Sequence, residues 1–514
     1  MPHVVTQPCC SDGSCVYVCP VNCIHPTPDE PDFLSAEMLY IDPGSCIDCG
    51  TCMSACPVDA IVSDRDLTTA QRPFIDINAA FYREPRPRPR LAPLIPLPAM
   101  NTGGERVRVA IVGSGPAAMY AADELLSQRE VRVNIFDRCT VPYGLVQNGV
   151  APDQREVKEI RHLFDKVSAR SRLNMYLGVE IGTDVTHEEL LAYHHAVIYA
   201  VGASASKRLG IPGEDLPGCE SGIDFAAWYN GHPDYARSSC QLSTRRAVII
   251  GNGNVALDAA RILTLDRDQL DDSDIAPAAL SALRHSKIQE VIIVGRRGPA
   301  ESAFTVPEFV GLLGRDIDIV VDAELPDPHS YPYATEQKLL LLQRAQQRTG
   351  GHRKRIVFRY QLSPTRIYGK DRVTGVSLVH NEIRRSGGRE QVVPTDRSER
   401  LSCGLILTAI GNRGVGVAGL PFDEHTGVIP NIDGRVLAAD SRSTLPGVYV
   451  TGWIKRGSVG FIGTNRSCAQ ETVRKVAEDV NSGLLRRRTL TRRDLEQMLS
   501  RRKPTTLRGA LHRS

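Results

Sequence analysis

Between residues 46 and 57 the chain reads Cys46-x2-Cys49-x2-Cys52-x3-Cys56-Pro57, and this spacing constrains it more than any other stretch. Three thiolates on one tight loop reach three corners of a cuboidal iron–sulfur cluster. The fourth, beyond the loop and followed by proline, points away and ligates a second cluster. A second copy, Cys9-x2-Asp12-x2-Cys15-x3-Cys19-Pro20, carries aspartate where the second cysteine belongs. Paired CxxC zinc ligands have neither this spacing nor its repetition. A carboxylate is a hard, poor ligand for iron in a sulfide cluster. The expected outcome is a [4Fe-4S] cluster on Cys46, Cys49, Cys52 and Cys19, and a [3Fe-4S] cluster on Cys9, Cys15 and Cys56. The rival reading gives Asp12 a labile fourth iron and the chain a second [4Fe-4S] cluster. Cys10 is out of register, and Cys23 fits neither copy and is expected to be a packed thiol.

Nine of the 14 cysteines lie in the first 56 residues. The start, Met1-Pro2-His3-Val4-Val5, shows no secretory signal, and no apolar run approaches the ~18 residues of a membrane span. The expected location is therefore the cytoplasm, with no membrane partner. Its reducing conditions disfavour a disulfide framework and leave the cluster role in front. Charge is unevenly spread: residues 1–80 carry −9 and the remainder +12, within a net +3.

After residue 80 the chain runs Phe81-Tyr82-Arg83-Glu84-Pro85-Arg86-Pro87-Arg88-Pro89-Arg90, with further prolines at 93, 96 and 98. Alternating proline imposes extended backbone, so 81–105 reads as a semi-rigid spacer, about 50 Å long over 83–98 at ~3.1 Å per residue. A nucleic-acid role for its arginines is set aside. From 106 onward the pattern is β-α-β, and it recurs at 247–294. From Arg486 the end is basic, ten Lys/Arg against Asp494 and Glu496, and reads as a solvated appendage with one short helix over 492–502.

Gly113-Ser114-Gly115-Pro116-Ala117-Ala118 follows the strand Val107 to Val112 and opens a helix. Its glycines permit the tight turn and let the backbone approach a pyrophosphate at the helix N-terminus. The next strand ends at Asp137, where a carboxylate accepts from an unphosphorylated adenosine ribose, as in FAD or NAD. The second copy, Gly251-Asn252-Gly253-Asn254-Val255-Ala256, follows Ala247 to Ile250. Its next strand runs into Gly295-Arg296-Arg297 instead of an acid. Paired guanidiniums clamp a 2′-phosphate bidentately, so this site reads as NADP(H). The cysteines beyond residue 106 are isolated, which excludes a redox-active CxxC.

Residues 1–80 resemble a seven-iron bacterial ferredoxin. Residues 106 to about 482 closely resemble the adrenodoxin reductase-type ferredoxin–NADP reductases. That second likeness rests on Pro142 to Val146, Gly149 to Asp153, Trp228 to Pro233, Gly251 to Arg261, Arg296 to Thr305 and Gly452 to Thr464. The whole chain resembles the bacterial ferredoxin/ferredoxin–NADP reductase fusion, with only the basic tail outside the likeness. The implied fold class is an α+β ferredoxin-like Fe–S domain followed by an α/β flavoprotein with two Rossmann-like dinucleotide-binding domains. The implied division is ferredoxin domain 1–80, linker 81–105, FAD-binding domain 106–203 and 418–484, an inserted NADP-binding domain 204–417, and tail 485–514.

By the same resemblance, Ala117, Asp137, Leu145, Val179, Trp453, Gly460, Phe461 and Ile462 contact FAD. Asn254, Val255, Arg296, Arg297 and Glu308 bind NADP. Asp258, Gln154 and Trp453 are assigned to the reacting side of the flavin. The family usually has histidine after Ala-Pro-Asp, paired with an aspartate matching Asp258; this chain has Gln154. Glutamine hydrogen-bonds but does not titrate, so activity is expected to be retained with a flat pH profile between about 5 and 8.

The implied activity is an NADPH-dependent ferredoxin reductase passing electrons from NADPH through FAD to the clusters and on to an external acceptor protein or ferredoxin. Tethering is expected to hold the ferredoxin at roughly millimolar effective concentration. Two alternatives share these cofactors: an electron-input subunit like that of glutamate synthase, which would form a stable complex, and a non-catalytic Fe–S redox sensor.

Overall fold

The computed structural model describes residues 2–83, 92, 96–235, 240–348, 351, 354–386, 389–440, 442–486, 489–503 and 507–508. Residues 84–91 and 93–95, which hold the alternating Pro/Arg run of the expected 81–105 spacer, lie outside the described residues.

In the N-terminal part, His3–Val5 pairs antiparallel with Ile61–Ser63, and Ile24–His25 with Tyr40–Ile41. The two cysteine motifs fold into matching loops. Gly13 and Gly50 have φ of 75° and 72°, and Ser11 and Asp48 have 58° and 57°. Each loop opens a five-residue helix, Ser14–Val18 or Thr51–Ala55, ended by Cys19 or Cys56 in extended backbone ahead of proline. Left-handed residues at the same two places in each loop turn the chain sharply enough to point several side chains inward. Aspartate at position 12 leaves that geometry intact.

The flavin-side sheet has eight strands. At its centre Val131–Asp137, Val107–Val112, Ala196–Tyr199 and Thr444–Val450 lie parallel, in that spatial order. Their runs of Val, Ile and Ala are buried on both faces, as helix-covered parallel strands must be. The second sheet has six strands, all parallel: Cys219–Ser221, Leu405–Thr408, Arg246–Ile250, Glu290–Val294, Arg355–Arg359 and Asp318–Asp322. The chain enters and leaves this second unit through one antiparallel ribbon, Ala205–Ser206 with Asn412–Arg413.

Two expectations are corrected. The basic tail is not a solvated appendage. Its helix Arg492–Arg502, with a Thr491/Asp494 capping box, buries Leu495 and Leu499 in the flavin-side core, and Leu507–Arg508 pairs with the edge strand Leu173–Leu177. Two apolar residues four apart form its buried face, and Arg502 to Glu189 at 2.7 Å and Lys503 to Asp184 at 3.1 Å fasten its end. Nor is the N-terminal domain merely tethered. Glu37 takes the Val306 N–H at 2.6 Å and Lys338 at 2.7 Å; Tyr333 donates to the Ile77 carbonyl at 2.6 Å; and Phe81 stacks on Tyr40 beside Tyr333. Its core runs on into that of the six-stranded unit. No helix among the described residues is long and apolar enough to cross a membrane.

Candidate functional site

The seven expected cluster ligands separate into two groups. Cys19, Cys46, Cys49 and Cys52 line one cavity with His3 and Ile41. Cys9, Cys15 and Cys56 gather on the other side with Asp12, close enough to raise one another's proton affinity. Each loop's last cysteine has therefore crossed to the partner loop's group, as the spacing requires. Among the described residues no three His, Cys, Asp or Glu side chains converge tightly enough for a single metal ion. Cysteines spread around a cavity suit a cluster instead. Cys23 is a packed thiol, as expected: it is buried in the core beside the first cavity, with its Sγ 3.4 Å from that of Cys19. Burial pushes the Cys15 thiol well up and the Cys56 thiol to about 12, so these two ligands ionise only against a bound cation.

The two groups face different surroundings. Cys49 is exposed, and neighbouring Ile47 and Met53 are 59% and 38% exposed. Cys10, Val58 and Ala60 are instead built into the core of the flavin-side unit, with Cys9 and Cys56 packed against it. The Cys10 carbonyl accepts from Gly463 N–H at 2.8 Å. A Cβ at Gly463 would lie 2.2 Å from the Asp12 nitrogen, so only glycine permits this approach. Asp12 is buried with both oxygens engaged: Oδ1 by the Ser14 N–H at 3.2 Å, Oδ2 by the Ser14 hydroxyl and by Arg466 at 3.4 Å.

At the first fingerprint, Gly113 has φ of 99°, and a Cβ there would meet the Ala200 carbonyl oxygen at 2.5 Å. Asp137 closes the turn: Oδ2 accepts from Ser114 N–H at 2.7 Å and its hydroxyl at 2.5 Å, Oδ1 from Cys139 N–H at 2.8 Å. Gly115 opens the helix Pro116–Leu126. Leu145 heads a short helix whose preceding Gly144 approaches Gly115, and Gly452, before Trp453, approaches Ala117. Trp453 donates from Nε1 to the Val459 carbonyl at 3.1 Å and so holds the turn carrying Gly460 and Phe461. Ile462 packs on the same core as Ala117. Val179 is buried, its N–H on the Asp137 carbonyl at 2.8 Å and its side chain in the core.

At the second fingerprint, a Cβ on Gly251 would meet the Ala409 carbonyl oxygen at 2.2 Å. Gly253 caps the helix Asn254–Thr264; Asn254 accepts from Thr305 N–H at 2.8 Å, and Val255 is 42% exposed. Arg296 and Arg297 are exposed and held by backbone alone. Their carbonyls accept from Asn381 and Gln361, each at 3.0 Å.

The two units meet at Gln154, Asp258 and Glu308. Gln154 Nε2 reaches Asp258 at only 3.5 Å but donates to Glu308 Oε2 at 2.7 Å. Glu308 accepts a second amide, Gln7 of the N-terminal domain, on the same oxygen at 3.1 Å. Below them Arg261 is buried, bidentate to Asp153 at 2.7 and 3.0 Å and bonded to Asp258 at 2.8 Å. Burial alone would raise Asp153, but Arg261 and Arg315 hold its carboxyl below the usual range. Asp153 and Arg261 lie within stretches that carry the family likeness but were given no role there, and no local pattern marks Gln7 or Arg466.

Burial, reinforced by the Asp258 charge, pushes the Glu308 carboxyl up to about 7. The flat pH profile expected from Gln154 therefore no longer follows, because a titrating group occupies the junction. Between the ordinary carboxyl value of 4.5 and about 7 the folded chain keeps a proton that the unfolded chain has lost. Stability from this group is full at low pH and falls as pH rises through 7. Glu308→Gln should accordingly gain on the parent with rising pH, by at most about 3 kcal/mol at pH 8. Thermal unfolding of both proteins at pH 5 and pH 8 measures this; equal differences at the two values would contradict it.

The description "Pyridine nucleotide-disulphide oxidoreductase" fits residues 107–297, and "4Fe-4S binding domain" fits residues 39–62. Two relatives are described as probable ferredoxin/ferredoxin–NADP reductases. That of Mycobacterium tuberculosis is 47% identical over 99% of this chain and 89% of its own, and that of Mycobacterium leprae 46% over 99% and 91%. The likeness thus takes in the basic tail, which had been expected to fall outside it. Among solved structures, FprA of M. tuberculosis in complex with NADPH is 39% identical, with TM-score 0.74 over 79% of this chain and 92% of its own. A histidine-to-glutamine variant of FprA is 40% identical, with TM-score 0.75 over the same shares. With cluster loops, two dinucleotide folds and this likeness along nearly its whole length, the chain belongs to the ferredoxin/ferredoxin–NADP reductase family.

Proposed function

We propose that this protein is an NADPH-dependent ferredoxin reductase that carries its own ferredoxin docked at the flavin. The observation that carries the reading is the seat of the 9–15 loop on the turn after Gly460 to Ile462, through the Cys10–Gly463 bond and the Asp12–Arg466 pair. Bound FAD would supply acceptance of a hydride from NADPH and release of single electrons, and iron–sulfur centres on the N-terminal cysteines would supply one-electron carriage towards an acceptor protein. Asp137 and the first fingerprint hold the FAD ribose and pyrophosphate. Arg296 and Arg297 clamp the 2′-phosphate of NADP(H), and Asn254, Val255 and Glu308 line its path to the junction. Gln154, Asp258 and Trp453 shape the reacting side. The division runs 1–80 for the ferredoxin domain, 106–203 with 418–484 for the FAD-binding domain and 204–417 for the NADP-binding domain, with the helix Arg492–Arg502 and Leu507–Arg508 packed on the second of these. Cys49 and its exposed neighbours offer the way out, towards an acceptor protein in the cytoplasm. The relay is tested by anaerobic NADPH titration: flavin bleaching together with cluster reduction is expected, and bleaching with clusters left oxidised would overturn it.

The Cys9, Cys15 and Cys56 site holds a [3Fe-4S] cluster, because Asp12 spends both oxygens on Ser14 and Arg466. Asp12→Cys supplies the missing thiolate. Iron should rise from about seven to about eight per chain, with loss of the three-iron EPR signal of the oxidised protein. Eight irons already present in the parent would contradict this.

A further inference from the structure

Gln7 belongs to the N-terminal domain, two residues before the first cluster cysteine, yet its amide lies at the junction of the two dinucleotide units. Its Nε2 donates to Glu308 Oε2 at 3.1 Å, beside the Gln154 amide at 2.7 Å. Space for it exists because position 311, on the helix Val306–Leu313 that carries Glu308, is glycine. A Cβ there would lie 2.2 Å from the Gln7 amide oxygen and 2.3 Å from its nitrogen. Glu308 is only partly buried, and its Oε1 has no hydrogen-bond partner among the described residues. One oxygen is thus pinned by two amides from two other domains, and the second is left to accept from a ligand.

We infer that the ferredoxin domain supplies a positioning residue to the NADP(H) site: Gln7 fixes the Glu308 carboxylate so that its free oxygen meets the nucleotide. This rests on Glu308 as an NADP(H)-binding residue. Nucleotide binding and docking of the ferredoxin domain are then linked, each strengthening the other by the same factor, since linkage is reciprocal. The charged groups around Glu308 are Asp258 and Arg261 on the helix Asn254–Thr264, with Asp153 behind Arg261; Gln7 and Gln154 are neutral. Arg261 draws the Glu308 proton affinity down through its charge while bonding Asp153 and Asp258, and the two amides, which donate to the carboxylate directly, draw it down further.

The test is NADP+ binding to the intact, cluster-loaded holoenzyme by calorimetry between pH 6 and 8. Gln7→Leu keeps the volume over Gly311 and removes the donor. It should weaken NADP+ binding at least about tenfold at pH 7, the lower end of the effect of losing one hydrogen bond to a charged group. Its pH midpoint should also move upward, because the ionised carboxylate has lost a donor. Gly311→Ala pushes the Gln7 amide aside by a separate route and should give the same two changes. The double variant should be no worse than either single one, as expected for residues acting through one contact. Iron content equal to the parent's checks that the ferredoxin domain is folded. Glu308→Gln separates the two readings. If it weakens NADP+ binding while both other variants stay within twofold of the parent, the role of Gln7 is overturned and the site assignment stands. If it too binds like the parent, the assignment of Glu308 falls and the role of Gln7 with it.

Discussion

Alanine at both Arg296 and Arg297 should lower kcat/KM for NADPH by about three orders of magnitude and that for NADH by no more than about threefold. Each charge-assisted hydrogen bond to a phosphate contributes roughly 1.5–3 kcal/mol, and every 1.4 kcal/mol is tenfold. Neither guanidinium has a partner among the described residues, and both residues are held through their carbonyls at 3.0 Å. Truncation therefore leaves no unpaired buried group and should not disturb the fold. Steady-state rates with the two nucleotides make the measurement. Equal losses with NADPH and NADH would mean that the pair does not read the 2′-phosphate.

The largest effect on stability is expected at Arg261. Its side chain is 2% exposed and holds Asp153, itself 5% exposed, across the boundary between the two dinucleotide units. Removing one partner of a buried pair leaves an uncompensated charge and costs about 3–5 kcal/mol. Arg261→Leu should lose that much in urea unfolding followed by flavin release. Adding Asp153→Asn should restore part of it by removing one stranded carboxylate. A loss below about 1 kcal/mol would show that water or a rearranged Arg315, now 3.1 Å from Asp153, takes over the role.

The ferredoxin-like loops and both fingerprints were readable residue by residue, because each is encoded within a few consecutive positions. Ligands three or four apart and glycines two apart dictate one turn and little else. Even the crossing of Cys19 and Cys56 to opposite groups follows from the residues between them. Reading failed wherever a local rule met a distant surface. The tail looked solvated because its charge dominates its composition, yet Leu495 and Leu499 form its buried face. Glu308 was readable as a nucleotide contact but not as a titrating group, because the burial that raises it is announced by no neighbouring residue.

The sequence by itself determined which groups this protein can hold: thiolates at cluster spacing, an acid after one phosphate-binding turn, and an arginine pair after the other. Chemistry of that kind is local. Tertiary structure alone decided how the parts face one another. Gln7 and Glu308 are 301 positions apart, Asp12 and Arg466 are 454, and Asp153 and Arg261 are 108. Contacts of such separation leave no periodicity or spacing in the chain. They arise when three independently patterned units bury their remaining surfaces against each other, and here those surfaces meet at Gly463 beside Asp12 and at Gln7, Gln154 and Glu308.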